Sequence, residues 1–287
     1  MAVLMLDSTR LAGVKAGPTA VGVDARWLMA YAAALGESDP RYYDTTATAG
    51  PAVHPLFPVC YEWPLAVALR AKTMDESIAR RGVHAFHNLV VHRSPRPGEG
   101  LRATARVVGV QRVRAGTLVV IRFSTTDRTG VAVTTTDHGS IYRGVELKGD
   151  EIAPSATESA ATATTRPSGT AWQASIEVPL QLPHVYTECA RIYNPIHTDG
   201  AVARTAGLPA IILHGTATLA LAVSRVVAHD LDGDPGRVRG VAARFTGMVM
   251  VPCHLTVRGA TLTDGAVGFD VVGPDGTAVL SDGRVTR

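Results

Sequence analysis

At 287 residues the chain is long enough for one large domain or two of ordinary size. Hydrophobic residues make up 46% and charged residues 18%, which supports a packed core and excludes global disorder. The net charge is only +3 and no Lys/Arg block runs along the chain, so a nucleic-acid partner is not expected.

Aromatic residues are 5% of the chain, so the core must be mostly Val, Ala, Leu and Ile. Cys60, Cys189 and Cys253 are far apart and form no CxxC pair. That spacing suits neither a disulfide framework nor a zinc ribbon, and it fits a reducing cytoplasm. The opening MAVLMLDSTRLAGVKAG lacks a basic segment before its apolar run and does not read as a signal peptide. No window approaches ~18 uninterrupted apolar residues, so no membrane-spanning helix is expected.

In chain order, Asp24 is placed to cap a helix whose face carries Trp27, Tyr31 and Leu35, with Gly36 as its stop. A loop follows, Glu37-Ser38-Asp39-Pro40-Arg41-Tyr42-Tyr43-Asp44. His54-Pro55, Phe57 and Tyr61 come next. His84, His87 and His92 have no i, i+4 ligand spacing and no nearby Cys, so they read as loop and strand-start residues with no metal. From Arg96 to Gly144 the pattern alternates with period two, as in Val119, Ile121 and Phe123 against Val120, Arg122 and Ser124. Ala115-Gly116 and Thr129-Gly130 break this region as turns.

Residues 153–172 are nearly all Ala, Ser and Thr with two prolines, and carry no apolar period. They read as a linker, taken as 151–172, between an N-terminal repeat at 16–150 and a C-terminal repeat at 173–287. The second half repeats the plan of the first. Pro183 sits in a first helical turn, and Val185, Cys189 and Ile192 fall at i, i+4 and i+7. The loop Ile192-Tyr193-Asn194-Pro195-Ile196-His197-Thr198-Asp199 then matches the first loop at a shift of 155, which pairs Asp39 with Asn194, Pro40 with Pro195 and Tyr42 with His197. The segment from Gly215 to before Gly233 reads as a buried helix with Leu219, Val223, Val226 and Val227 in one stripe. Asp264-Gly265 and Asp275-Gly276 then mark hairpins in a second β-rich stretch. Each half is a helix-containing segment followed by antiparallel strands, an α+β plan.

The run Asn194-Pro195-Ile196-His197-Thr198-Asp199, followed by Gly207-Leu208-Pro209-Ala210-Ile211-Ile212-Leu213-His214-Gly215, resembles the signature of R-specific enoyl-CoA hydratases, the MaoC-like dehydratases. The resemblance implies a double hot-dog fold: two curved antiparallel sheets, each wrapped round a central helix. It also implies an acyl thioester substrate, carried on CoA or acyl carrier protein, and no cofactor. His197 would move the proton at C2 and Asn194 would orient water or His197. The Gly215 N–H would polarise the thioester carbonyl at a helix N-terminus. Tyr193, Pro195, Ile192 and His214, with His54, Phe57 and Tyr61 from the other half, would line the substrate site. Arg93, Arg96 and Arg102 are open to a carrier phosphate or to solvent.

One departure changes the expected chemistry. The family's catalytic Asp stands where this chain has Ile192, and the Gly before it is Arg191. Ile cannot accept a proton. Glu188 lies one turn earlier, and Glu37 aligns with the missing Asp in the first half, where Tyr42 replaces the His. The expected activity is therefore addition or elimination of water, or of another nucleophile such as an amino acid, across an enoyl thioester. Thioester hydrolysis and a non-catalytic acyl-binding role beside an active dehydratase are the alternatives. A monomer or a homodimer is expected.

Overall fold

A computed structural model of the chain describes residues 3–154 and 171–287. Most of the 151–172 linker lies outside the described residues. At its edges, Ile152 exchanges backbone hydrogen bonds with Val110 (2.8 and 2.9 Å), and Trp172 already belongs to a strand.

In the first half, β1 (Met5–Asp7) and α1 (Ser8–Leu11) precede β2 (Lys15–Gly22), α2 (Ala25–Ala34), the central helix α3 (Pro58–Thr73) and the short α4 (Glu76–Ala79). Four long strands follow: β3 (Gly82–Val91), β4 (Gly100–Val113), β5 (Gly116–Asp127) and β6 (Ala132–Arg143). The short β7 (Glu146–Lys148) pairs in parallel with β1. The second half runs β8 (Trp172–Val178), α5 (Leu182–Ala190), α6 (Gly200–Thr205) and the central helix α7 (Gly215–Asp230). It ends in β9 (Gly240–Phe245), β10 (Cys253–Thr261), β11 (Val267–Val272) and β12 (Ala278–Thr286). Among the described residues no helix is long and apolar enough to cross a membrane.

The ten long strands form one sheet in the order β2-β4-β5-β6-β3-β9-β12-β11-β10-β8. The order is a palindrome of the two halves, with β2 matching β8, β4 matching β10 and β3 matching β9. The halves meet edge to edge where β3 pairs antiparallel with β9, Phe86 opposite Arg244 and Val90 opposite Gly240. An unpaired edge strand offers open N–H and C=O groups, and this pairing removes one from each half. The four Gly turns foreseen in the sequence all join adjacent strands of the sheet. Their glycines hold positive φ, from +78° at Gly276 to +146° at Gly116.

Each half-sheet curves round its own helix. Leu219, Val223, Val226 and Val227 of α7 are all at most 2% exposed, as their stripe predicts. The α2 helix begins as expected: Asp24 accepts a hydrogen bond from the Trp27 N–H at 2.8 Å, and Gly36 ends the helix region at φ +70°. On α5 the expected face needs correcting. Pro183, Tyr186, Thr187 and Ala190 are buried, whereas Val185 is 42% exposed. The helix packs on α2 and on the start of α7, which turns its buried stripe toward Tyr186 rather than Val185.

The two halves are held in register at Tyr31 and Tyr186, which are 155 positions apart. Their hydroxyls lie 3.4 Å from each other, both rings fully buried. The Tyr31 hydroxyl also reaches the Leu56 carbonyl at 3.3 Å, ahead of α3, and the Tyr186 hydroxyl donates to Thr216 Oγ1 at 3.1 Å, in the first turn of α7. A run of polar contacts at 3.1–3.4 Å therefore links the starts of the two central helices.

Truncating the core of α7 tests this packing. Leu219→Ala is expected to lower the unfolding free energy by about 2–5 kcal/mol, as buried Leu→Ala changes do. Val67→Ala on α3, where the side chain is 43% exposed, should change it by no more than about 0.5 kcal/mol. Urea unfolding midpoints of the two variants check the contrast.

Candidate active site

The motif loop is positioned by the end of α5. Arg191 caps that helix at φ +58°, a left-handed conformation that glycine adopts freely and arginine does not. Its guanidinium lies over the Trp27 ring at 4.0 Å, and the cation–π contact helps to hold the strained residue. Trp27 in turn donates from Nε1 to the Cys189 carbonyl at 2.9 Å. Pro195 then opens a 3-10 turn over Pro195–His197, the counterpart of the Pro40–Tyr42 turn in the first half. Asp199 caps α6, accepting from the N–H groups of Ala201 and Val202.

The turn carries His197 inward until it is 8% exposed. Its Nδ1 lies 2.9 Å from the Ile212 carbonyl oxygen. A carbonyl only accepts, so Nδ1 holds the proton and Nε2 keeps a lone pair. The ring stacks on His214 at 3.7 Å between centroids. His214 is itself tied to Thr187 Oγ1 by its Nε2 at 3.2 Å. Burial holds His197 down at about 4, and burial with the neighbouring imidazole holds His214 well below the usual range. Both rings are neutral at physiological pH.

His214 is also the N-cap residue of α7, and its side chain makes no capping hydrogen bond. The N–H groups of the first turn thus have no side-chain cap from His214. Gly215 starts that turn. A Cβ there would sit 3.0 Å from Phe245 Cε1, so a larger residue would push the phenyl ring aside. A neutral base beside an uncapped helix N-terminus can move a proton while the helix stabilises a developing oxyanion.

The remaining predicted residues separate into three places. Ile192 is 4% exposed and belongs to the hydrophobic core beside His214. Tyr193, Asn194, Pro195 and Thr198 line an open cleft of about 260 Å³ with His184 and Glu188 of α5. Tyr193 is 60% exposed there. Phe57 and Tyr61 sit in an aromatic cluster of the first half, with Phe57 edge-on to Trp27 at 5.0 Å and to Tyr61 at 6.1 Å. His54 makes a second, separate constellation. Its Nε2 is 3.2 Å from Ser224 Oγ and 3.8 Å from Glu37, while Ser224 donates to Glu37 at 2.5 Å.

That second constellation mirrors the first. Tyr42 stacks on His54 as His197 stacks on His214, with centroids 6.3 Å apart. Glu37 occupies the place of the missing acid. Burial raises Glu37 and lowers His54 to about 3. Two features disable it as a copy of the site. Tyr42 brings a buried phenol with no hydrogen-bond partner among the described residues, and Pro55 follows His54 where Gly215 follows His214. Proline has no N–H to offer an oxyanion. Glu37 does not serve His197 either. It binds Ser224, nine residues along α7 from Gly215, or roughly 13 Å by helical rise.

Several groups at or near the site were not legible in sequence. Thr187 and Tyr186 contact His214, and Thr216 and Tyr31 contact Tyr186; of these only Tyr31 stood out in the sequence, as part of a helix face. The sequence leaves Arg93 open to a carrier phosphate. It is engaged instead with Glu99 and with Asp127, the latter at 3.1 Å, on the protein itself. His92 is bound to Thr135 at 3.0 Å, whereas His84 and His87 gather with His138 inside the first half-sheet.

The buried histidines set an expected pH profile. In the folded chain burial holds His54 and His138 at about 3 and His87 and His197 at about 4, against an ordinary value near 6.5. The unfolded chain therefore binds more protons between pH 6.5 and 4, and stability should fall as pH drops through that window. Burial also raises Glu62 to about 8, so its contribution is present at low pH and lost as pH rises from the ordinary carboxylate range through 8. The four histidines outweigh the one carboxylic acid below pH 6.5. Thermal midpoints should peak near neutrality and drop steeply toward pH 4; a midpoint that rises on acidification contradicts this charge assignment.

Residues 186–272 match the MaoC like domain, and residues 10–136 match the FAS1-like, dehydratase domain region. The fatty acid synthase subunit beta of Aspergillus oryzae is 47% identical over 76 residues, which are 26% of this chain and 4% of that much longer protein. The peroxisomal enoyl-CoA hydratase 2 of Arabidopsis thaliana is 42% identical over 53 residues, 18% of this chain and 17% of its own length. The chain thus spans a small part of these curated relatives. In structure it resembles a MaoC-like dehydratase from Phytophthora capsici, with a TM-score of 0.84 and 20% identity, over 97% of this chain and 96% of the other. The chain therefore carries a MaoC-like dehydratase domain in its second half and a FAS1-like dehydratase region in its first, on a double hot-dog fold.

Proposed function

We propose that the chain is an enzyme acting at C2–C3 of a 2-enoyl or 3-substituted acyl thioester, carried on CoA or acyl carrier protein. The observation that carries this reading is the pairing of His197, with its free Nε2 lone pair, and the uncapped start of α7 at Gly215. In the forward direction the nucleophile forms a bond to C3 and the C2–C3 π pair moves into the thioester as an enolate. The enolate oxygen accepts a hydrogen bond from the Gly215 N–H and is further stabilised by the helix dipole. The nucleophile's proton passes to His197 Nε2 and then to C2, which restores the carbonyl and the neutral imidazole. Elimination is the reverse.

The identity of the nucleophile follows from Ile192. The family pattern pairs the His with a carboxylate, whose charge makes the imidazole a better base and holds a water. Here the position is apolar and buried, and His197 is a weak base held at about 4. Water needs a strong base to attack; an uncharged amine does not. The arrangement therefore favours conjugate addition of an amine, such as the free amino group of an amino acid, over hydration. Glu188, exposed at the rim of the cleft, is the group available if water is the nucleophile. A substrate in that cleft would lie between Tyr193, Asn194 and Pro195.

The test is mass spectrometry of a crotonyl or longer enoyl thioester incubated with the purified chain, with and without added glycine. An amine adduct without hydration supports the favoured nucleophile, and a gain of one water supports the hydratase form. Release of the free acid makes the chain a thioesterase. Unchanged substrate in every tube points to an acyl-binding partner of another dehydratase. For any turnover seen, His197→Ala should reduce kcat by about 10²–10⁴-fold, the usual worth of a general acid–base group. Its circular dichroism should be unchanged, and full activity in this variant would overturn the assignment.

A further inference from the structure

The structure assigns a second, metal-binding site to the interior of the first half-sheet, where His84, His87 and His138 would ligate a divalent transition ion such as Zn²⁺ through three neutral imidazoles. The inference is independent of the thioester chemistry. A β-bulge makes it possible. In β3, His84 pairs with Ser140 and Phe86 with Gly139, so Ala85 is an extra residue and the pleat shifts by one. His84 and His87, three apart, therefore share one face, and His138 stands directly opposite His87 on β6. Gly139 accommodates the arrangement, because a Cβ there would meet the Phe86 ring at 2.1 Å. The face is the one turned to α3, since Thr134 and Thr136 on the same side of β6 bond Tyr61 and Glu62 of that helix.

One ligand nitrogen from each of the three rings lies within 4.8 Å of the other two. Tetrahedral coordination with bonds of about 2.0–2.1 Å needs them roughly 3.4 Å apart, a closure of the size that imidazole ring rotations supply. The rings have little else to do. His87 is 1% exposed, and neither of its nitrogens has a hydrogen-bond partner among the described residues; nor has His84 Nε2. A buried polar group left unpaired is costly, and a bound ion would satisfy these nitrogens. Ser140 Oγ, 3.0 Å from His138 Nε2, fixes that ring as an outer-shell partner does. His84 lies between His138, at 3.8 Å, and Phe245, at 4.1 Å. Burial keeps all three imidazoles uncharged and available to ligate. The positive Arg70 nearby opposes protonation of His84 and His138 as well. It also disfavours a bare cation, so the open fourth position would hold an anionic ligand such as hydroxide.

Cobalt(II) added to the full chain, purified without a histidine tag, is the probe. We expect one ion per chain with the visible absorption of tetrahedral cobalt, and displacement by Zn²⁺. His87→Ala and His138→Ala should weaken uptake by at least about tenfold, the loss that even an outer-shell change brings, whereas His92→Ala should not. Because an alanine variant can fail to fold, X-ray absorption of the cobalt-loaded native chain gives a second reading. Scattering from three imidazoles supports the site. No uptake by the native chain, imidazole scattering from fewer than three rings, or undiminished uptake in a folded His84→Ala/His87→Ala variant would overturn it.

Discussion

The structure depends first on the joining of two sheet edges. Each half of the chain makes a five-stranded sheet that would end in an open strand, β3 in one and β9 in the other. Pairing them antiparallel satisfies both ladders and fixes the two halves about a pseudo-twofold relation. Once that register is set, the positions of α3 and α7 follow from each sheet's curvature. The Tyr31–Tyr186 contact follows from the approach of α2 and α5. The site at the start of α7 is then braced from the opposite half, through Tyr31, Tyr186 and Thr216, at distances of 3.1–3.4 Å.

Duplication gave the chain two versions of one local device: a left-handed helix stop, a proline turn, and an inward ring stacked on a histidine ahead of a helix. The versions have diverged in complementary ways. The second half keeps the His and the Gly with its N–H but has lost the acid to Ile192. The first keeps an acid in Glu37 but has Tyr42 for the His and Pro55 in place of the donor. Neither half holds the full set, and the separation along α7 prevents the acid of one from reaching the base of the other. Under the proposed function, what remains in the second half would polarise a thioester and move a proton, so an apolar Ile192 bears on the nucleophile more than on the substrate.

The first half-sheet buries an unusual amount of polar chemistry under α3. Glu62 of α3 points to the sheet, His84, His87 and His138 face that helix, and burial favours the uncharged form of all four. This polar interior touches the thioester site indirectly. His84 stacks on Phe245, and Phe245 packs against Gly215, so one ring separates the histidine cluster from the proposed oxyanion donor. Occupancy of the cluster would therefore bear on how tightly Phe245 closes on the helix N-terminus.

Much of this was legible in the sequence because the signals are local. Asp24, Gly36, Pro183, Pro195 and the four Gly turns fix backbone conformation within a few residues. The stripe on α7 needs only a period of 3.6. The motif around His197 and Gly215 is contiguous, and the 155-residue shift shows the duplication. The tertiary structure decided what depends on residues far apart in the chain. Packing of α5 on α2 turned Tyr186 rather than Val185 into the core. The cross-sheet approach of α7 gave Glu37 to Ser224 and not to His197. A one-residue bulge and a cross-strand pairing brought His84 and His87 to His138 rather than His92. In each case the deciding quantity is which face an element buries, and that is fixed by its neighbours in space.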